Sequence, residues 1–378
     1  MSISRREFNR NITRLGALGL AAELLPSLTS PLLAQPSSRK IGYAVIGLGR
    51  IADLHMQGIH LSPNAKITAL VSGHRDKAEK YAAQYGVPTS SIYSYENMDA
   101  LRNNPAVDAV YICLPNSMHA EYTIRAAKLG KHVFCEKPMA TTVADAQAMI
   151  DACKAANVKL MIGYRCHYES TNLAAIKLIR EGAIGQIQSI QSAFGFSCGA
   201  DEWRLTKALG GHGPLFDVGI YCLNATRYLT GEEPASFSAY AYSNPNDPRF
   251  RDVEENLVWI TKFPSGVVAS CSTSYGSNMD GYYRVYGSKG WLQVDTAFSY
   301  EGLSLKAFYN RDGVTESERT VVLNQPNTEK IPQQFVNEAN HFTQCILENK
   351  TPTAPGEEGL KDMTYMREIY RSAGITMA

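Results

Sequence analysis

From residue 40 onward, short and uniformly apolar runs alternate with longer stretches in which apolar positions recur every three or four residues. The runs 41–46, 67–71, 109–114, 132–135 and 159–162 are only four to six residues long and rich in Ile, Val and Ala, which predicts strands buried on both faces. Between them, 77–85, 119–129 and 143–157 carry helical periodicity. Strands alternating with helices predict a parallel, doubly wound sheet, an α/β unit over 39–163.

Beyond residue 163 the period changes. A helix (171–181), a strand (187–196) and a second helix (214–229) precede strand-like runs at 235–242, 256–263, 267–275, 281–286, 290–294 and 303–309. Turns such as Pro264-Ser265-Gly266 and Ser288-Lys289-Gly290 punctuate them. Two helices, 333–348 and 357–372, close the chain. This predicts an α+β domain over 164–378 with an open antiparallel sheet, its last helix placed to return to the first domain.

The first 34 residues belong to neither pattern. Arg5-Arg6, then Phe8, then the apolar stretch from Leu15 to Ala22 and the prolines Pro26 and Pro31 read as a twin-arginine export signal, cleaved near Ala34, and predict a periplasmic protein. The apolar stretch is too short for a stable membrane span. A formal net charge of +1 gives no reason to expect nucleic acid as a partner. The eight cysteines form no C-x-x-C pair and fall mostly in apolar runs, so they read as buried free thiols with no metal site.

The first strand ends in Gly47-Leu48-Gly49-Arg50-Ile51-Ala52, a Gly-x-Gly-x-x-Ala turn opening a helix. Gly47 suits the tight turn, Gly49 lets the backbone approach a pyrophosphate, and the helix N-terminus favours its charge. Such turns are common, so the second strand carries the discrimination. Where an NAD site places a ribose-binding carboxylate, this chain has Ser72, Gly73, Arg75 and Lys77. Two cations and no carboxylate suit the 2′-phosphate of NADP; the alternative is a pair of solvated helix charges.

Further polar residues end two other strands: Leu114-Pro115-Asn116 with His119, and Glu136-Lys137-Pro138. In a doubly wound sheet these ends face the ligand cleft, so Lys137 would hold a substrate hydroxyl or bias a neighbouring acid–base group; a surface lysine before a turn is the other reading. Asp217 and Tyr221, four apart on the helix 214–229, share a face. A phenol titrating near 10 needs a neighbouring cation to act near neutrality, and Lys137 is the expected one; a dipole-stabilised aspartate beside a packed tyrosine is the alternative. Arg165 and His167 line the cleft or satisfy the domain junction, and His212 reads as a turn residue. Arg165, Trp203, Arg204, Tyr282 and Tyr300 are candidate pocket-lining residues for a sugar.

The segments Ala69–Gly73, Ile112–Glu121, Cys135–Thr141, Leu160–Tyr168, Asp217–Tyr221 and Thr226–Pro234 together resemble the Gfo/Idh/MocA oxidoreductase family, and within it the glucose–fructose oxidoreductase branch. The resemblance runs from Gly42 to Glu358. It implies a Rossmann-type domain followed by an open-sheet domain used for homo-oligomerisation. It implies bound NADP, with Gly47, Leu48, Gly49, Arg50, Ile51, Ser72, Gly73, Arg75, Lys77, Leu114, Pro115, Asn116, His119, Glu136, Lys137 and Arg165 as the cofactor set. Lys137 is then the catalytic lysine, Asp217 a substrate-holding carboxylate and Tyr221, where many relatives have His, the acid–base.

The expected reaction is ping-pong. An aldose such as glucose is oxidised at C1 to its lactone, and fructose or a second aldose is reduced to an alditol by the same cofactor. Three alternatives stand: an NADP-dependent sugar dehydrogenase with exchangeable cofactor, a nicotinamide-dependent glycosidase, and a non-catalytic binding protein. Only Gln35–Arg39 separates the expected cleavage site from the first strand, where the branch has a longer arm over its cofactor.

Overall fold

The computed structural model describes residues 39–315 and 319–377, so the expected export signal lies outside the described residues. Its first sheet is parallel and six-stranded, in the order β3-β2-β1-β4-β5-β6. The strands are β1 (Ile41–Ile46), β2 (Ala65–Val71), β3 (Ile92–Tyr93), β4 (Ala109–Ile112), β5 (His132–Glu136) and β6 (Leu160–Gly163). Every residue of β1 is buried, as its uninterrupted apolar run requires. Helices α1 (Arg50–Leu61), α2 (Arg75–Tyr85), α3 (His119–Lys128) and α4 (Val143–Ala155) connect the strands. Because β1 lies between β2 and β4, the chain reverses direction across the sheet there, and a crevice opens at the carboxyl ends of β1 and β4.

Helix α5 (Ser170–Arg180) leads into the second sheet, eight-stranded, in the order β14-β13-β12-β11-β7-β10-β9-β8. Its strands are β7 (Ile187–Gly195), β8 (Ser236–Tyr242), β9 (Asn256–Lys262), β10 (Val268–Ser274), β11 (Met279–Gly287), β12 (Gly290–Asp295), β13 (Ser304–Asn310) and β14 (Thr320–Pro326). It is mostly antiparallel, but β7 and β10 pair in parallel, which corrects the all-antiparallel expectation. Strand β9 shows why one face is open: Leu257, Trp259 and Thr261 are buried, while Val258, Ile260 and Lys262 between them are exposed.

The buried face carries α6 (Ile220–Thr230). Arg227 of α6 is buried and paired with Glu233 (2.7 Å) and, on the last helix, with Glu358 (2.8 Å) and Asp362 (2.7 Å). That last helix is α8 (Gly356–Ser372), and its Gly359 packs on Met139 and on Ile162 of β6. Helix α7 (Gln333–Leu347) crosses α1 at Gly58, where there is no room for a side chain against the Phe335 backbone. All eight cysteines are unpaired, and no described helix is long and apolar enough to cross a membrane.

Candidate active site

One cavity of about 950 Å3 joins the crevice of the first sheet to the helical face of the second. At one end stands the glycine turn. Gly47 has φ +88°, and a Cβ there would come within 2.7 Å of the Cys113 carbonyl oxygen, so only glycine lets the end of β1 approach the end of β4. A Cβ on Gly49 would meet nothing within 4 Å, which leaves the N-terminus of α1 open to a pyrophosphate. Leu48, Arg50, Ile51, Leu114 and Pro115 line the same end.

Ser72 and Lys77 line the cavity with His74 and Tyr95, which the sequence reading missed. No carboxylate lines this part, so the donors present fit a phosphate on the ribose. Arg75 is turned away: its guanidinium pairs with Glu79 (2.9 Å) and reaches the carbonyls of Thr89 and Ile92, because helix geometry puts the i,i+4 carboxylate nearer than the cleft. Gly73 stands beside Tyr95. Asn116 and His119 act beneath the surface. Asn116 donates to the Gly210 carbonyl (2.9 Å), and the His119 ring nitrogens lie 2.8 and 2.9 Å from the carbonyls of Pro138 and Leu114.

At the other end a wide π-type turn, Leu215–Gly219, precedes α6, so the expected straight helix 214–229 is wound differently at its start. Asp217 lies in that turn, a local irregularity of the kind often found at functional sites. Lys137 Nζ donates to the Asp217 carbonyl (2.7 Å) and to its Oδ1 (3.2 Å). Arg204 Nε stands 2.9 Å from Oδ2, and the Tyr275 hydroxyl donates to the same oxygen at 3.1 Å. Burial alone would raise the Asp217 carboxyl, but Lys137 and Arg204 outweigh it and hold it below the usual range. Glu202 extends the chain of charges, pairing with Arg204 (2.7 Å) and, across the cavity, with Arg50 (2.8 Å).

Lys137 was the cation expected at the Tyr221 hydroxyl. Its ammonium instead lies over the ring, 4.8 Å from the centroid, because its hydrogen bonds go to Asp217. The hydroxyl is met by Arg165 Nε at 3.2 Å. Burial raises the Tyr221 phenol above its ordinary value, and Arg165 is the leading opposing influence. Glu136, one residue before Lys137, is buried; it accepts from the Tyr111 hydroxyl (2.8 Å) and lies 3.0 Å from His55 Nε2.

Trp203, Arg204 and Tyr300 line the cavity with Arg165, and so do Phe194, Phe196, Glu202 and Phe298, which no sequence pattern singled out. Tyr282 does not. The alternation of β11 turns its neighbour Tyr283 inward, where the hydroxyl donates to Asn172 (2.8 Å). His167 bonds Asn224 (2.6 Å) behind α6, and His212 packs on Tyr370 in its turn. No group of ligands suited to a metal ion occurs among the described residues.

Residues 41–164 match the family described as "Oxidoreductase family, NAD-binding Rossmann fold", and 172–293 match the GFO/IDH/MocA C-terminal domain. The solved aldose–aldose oxidoreductase of Caulobacter crescentus, complexed with glycerol, is 44% identical with a TM-score of 0.82, covering 89% of this chain and 98% of its own. The NADP-dependent D-xylose 1-dehydrogenase of Haloarcula marismortui is 30% identical over 341 residues, 88% of this chain and 91% of its own. A levoglucosan dehydrogenase complexed with NADH and levoglucosan shares the fold at 23% identity and TM-score 0.77, covering 89% of this chain and 97% of its own.

Proposed function

The chain belongs to the Gfo/Idh/MocA family of NAD(P)-dependent oxidoreductases, and within it we propose an NADP-dependent sugar–sugar oxidoreductase that works by a ping-pong cycle. The observation that carries this reading is the single cavity holding both the dinucleotide turn and the Lys137, Asp217 and Tyr221 side chains. The 44% identity to an aldose–aldose oxidoreductase favours a second aldose over fructose as the acceptor.

Bound in the cavity, the nicotinamide group supplies a hydride acceptor and donor. Ser72 and Lys77 hold the 2′-phosphate, Gly47 and Gly49 the pyrophosphate. Asp217, kept ionised by Lys137 and Arg204, accepts hydrogen bonds from sugar hydroxyls. Trp203 and Tyr300 offer flat apolar faces to the ring, and Arg204 orients it. Tyr221 takes the C1 hydroxyl proton during oxidation of the donor and returns a proton to the carbonyl oxygen of the acceptor.

Resident cofactor fits an exported enzyme. The arginine pair Arg5-Arg6 supports twin-arginine export to the periplasm, and that route carries folded proteins, so NADP can be loaded first. Apolar residues on the open sheet face, Tyr240, Val258 and Val322 among them, support homo-oligomerisation through that face.

The purified mature protein, desalted and then denatured, should release stoichiometric NADP. Glucose alone should reduce that bound nucleotide once, and xylose or fructose should reoxidise it. Protein that arrives empty and turns over only with added NADP would favour the second reading, an exchanging dehydrogenase like the xylose enzyme. Tyr221→Phe should lower turnover by about 10²-fold or more with nucleotide still bound.

A further inference from the structure

We infer that Arg165 is the positioning residue that makes the Tyr221 phenol usable as a base, and that Lys137 serves Asp217 and the substrate instead. The inference rests on Tyr221 being the acid–base of the proposed reaction.

Arg165 occupies the turn after β6, and its side chain is almost wholly buried. Four of its donor contacts are accounted for. Nε donates to the Tyr221 hydroxyl oxygen at 3.2 Å, Nη1 to the Ser299 carbonyl (3.1 Å) and to Gln334 Oε1 (2.8 Å), and Nη2 to the Phe298 carbonyl. The guanidinium lies between two phenol rings, 4.9 Å from the Tyr221 centroid and 4.5 Å from that of Tyr300. It is therefore held in one orientation by β6, the loop before β13 and α7 together.

Three physical consequences follow. A guanidinium has no acceptor, so the phenol oxygen must accept from it, and the phenol's own proton is left for exchange with a substrate in the cavity. A charged donor aimed at the oxygen favours phenolate directly. An ammonium over the ring face interacts with the π system and stands off the oxygen. Lys137, moreover, is committed to two oxygens of Asp217. The desolvation that raises the Tyr221 phenol is opposed first by Arg165.

The proton and electron balance is closed. In the oxidising half-reaction the aldose O–H bond breaks to Tyr221 oxygen, the C1–H bond leaves as hydride to the nicotinamide, and a C=O bond forms. In the reducing half-reaction the hydride returns to the acceptor's carbonyl carbon and the Tyr221 proton to its oxygen. Between the two, Arg165 stays charged and gives up no proton, since its guanidinium does not titrate in this range.

The test has a readout independent of turnover. Tyrosinate absorbance is titrated in the protein as purified and in its Tyr221→Phe counterpart, and the difference isolates Tyr221. Arg165→Lys and Arg165→Gln should each raise the midpoint by about one pH unit or more, an approximately tenfold change. The acidic limb of the aldose-oxidation pH profile, where a base is lost by protonation, should move with it. Lys137→Met should lower turnover while moving the midpoint by less. Because Arg165 joins three segments, its variants are checked by circular dichroism. Should they not fold, Gln334→Leu, which removes one of the guanidinium's restraints, should shift the midpoint in the same direction by a smaller amount.

A midpoint that follows Lys137→Met and ignores the Arg165 variants, or folded-protein failure followed by no shift in Gln334→Leu, overturns the inference. Near-normal turnover in Tyr221→Phe is a different failure, that of the acid–base reading itself.

Discussion

Gly213 opens the segment that delivers Asp217, and its backbone nitrogen is held by a buried carboxyl. Glu254 Oε2 accepts from Gly213 N at 3.2 Å, and Oε1 accepts from the Tyr370 hydroxyl of α8 at 2.6 Å. Burial pushes this carboxyl up to about 7, against smaller opposing influences from Tyr370, backbone donors and Lys207. The sign follows from the raised value. Glu254 favours the folded state fully below the unfolded carboxyl pKa of about 4.3, and that contribution is lost as pH rises through about 7. At roughly 1.4 kcal/mol per pH unit, the accumulated loss is on the order of 4 kcal/mol. Glu254→Gln should therefore be less sensitive to pH than the parent. Urea unfolding at pH 5 and pH 8 should show the parent losing stability relative to the variant, and a constant difference at the two pH values would mean that Glu254 ionises normally. None of this was legible in the sequence, where Glu254 is one of several carboxylates in a polar loop.

At the scale of elements, the crossing of α1 and α7 positions the floor of the site, since α7 supplies Gln334 to Arg165. Gly58 makes that crossing close: a Cβ there would fall 2.7 Å from both the carbon and the oxygen of the Phe335 carbonyl. Alanine would gain about 1 kcal/mol in helix propensity, but two backbones cannot yield as a side chain can, so the clash wins. Gly58→Ala should cost about 1–3 kcal/mol in denaturant unfolding; a neutral or stabilising result would show that the helices separate freely. Five strands of the first sheet and the turn at Gly47 and Gly49 were legible because both depend on local pattern, whereas the two-residue edge strand β3 is too short to show a period. Strand β14 was not legible, since it lies at the sheet edge and its alternating Val321 and Leu323 are only half buried. The π-type turn at Asp217 was not legible either, because it differs from an α-turn only in hydrogen-bond register. The pairing of Tyr221 with Arg165 joins residues 56 apart in sequence through tertiary packing, and spacing along one helix cannot reveal it.

At the scale of the molecule, the second sheet has two unlike faces. Its inner face carries α6 and one wall of the cavity, while its outer face displays Tyr240 (78% exposed), Val258 (49%), Ile260 (40%) and Val322 (73%). Tyr240 and Val258 are direct neighbours across β8 and β9, so they form one continuous patch. If this face joins two copies about a twofold axis, each substitution enters the interface twice, and new like charges repel across it as well as removing apolar contact. The pair Tyr240→Asp and Val258→Asp should then dissociate the oligomer in sedimentation equilibrium at concentrations where the parent stays assembled. Neither residue lines the cavity, so bound nucleotide and turnover per chain should remain within about twofold. A monomeric parent would remove the oligomer from the proposal, and an assembled double variant would place the interface on another surface. Loss of nucleotide together with dissociation would carry a third meaning, that the open face supports the cavity through the sheet.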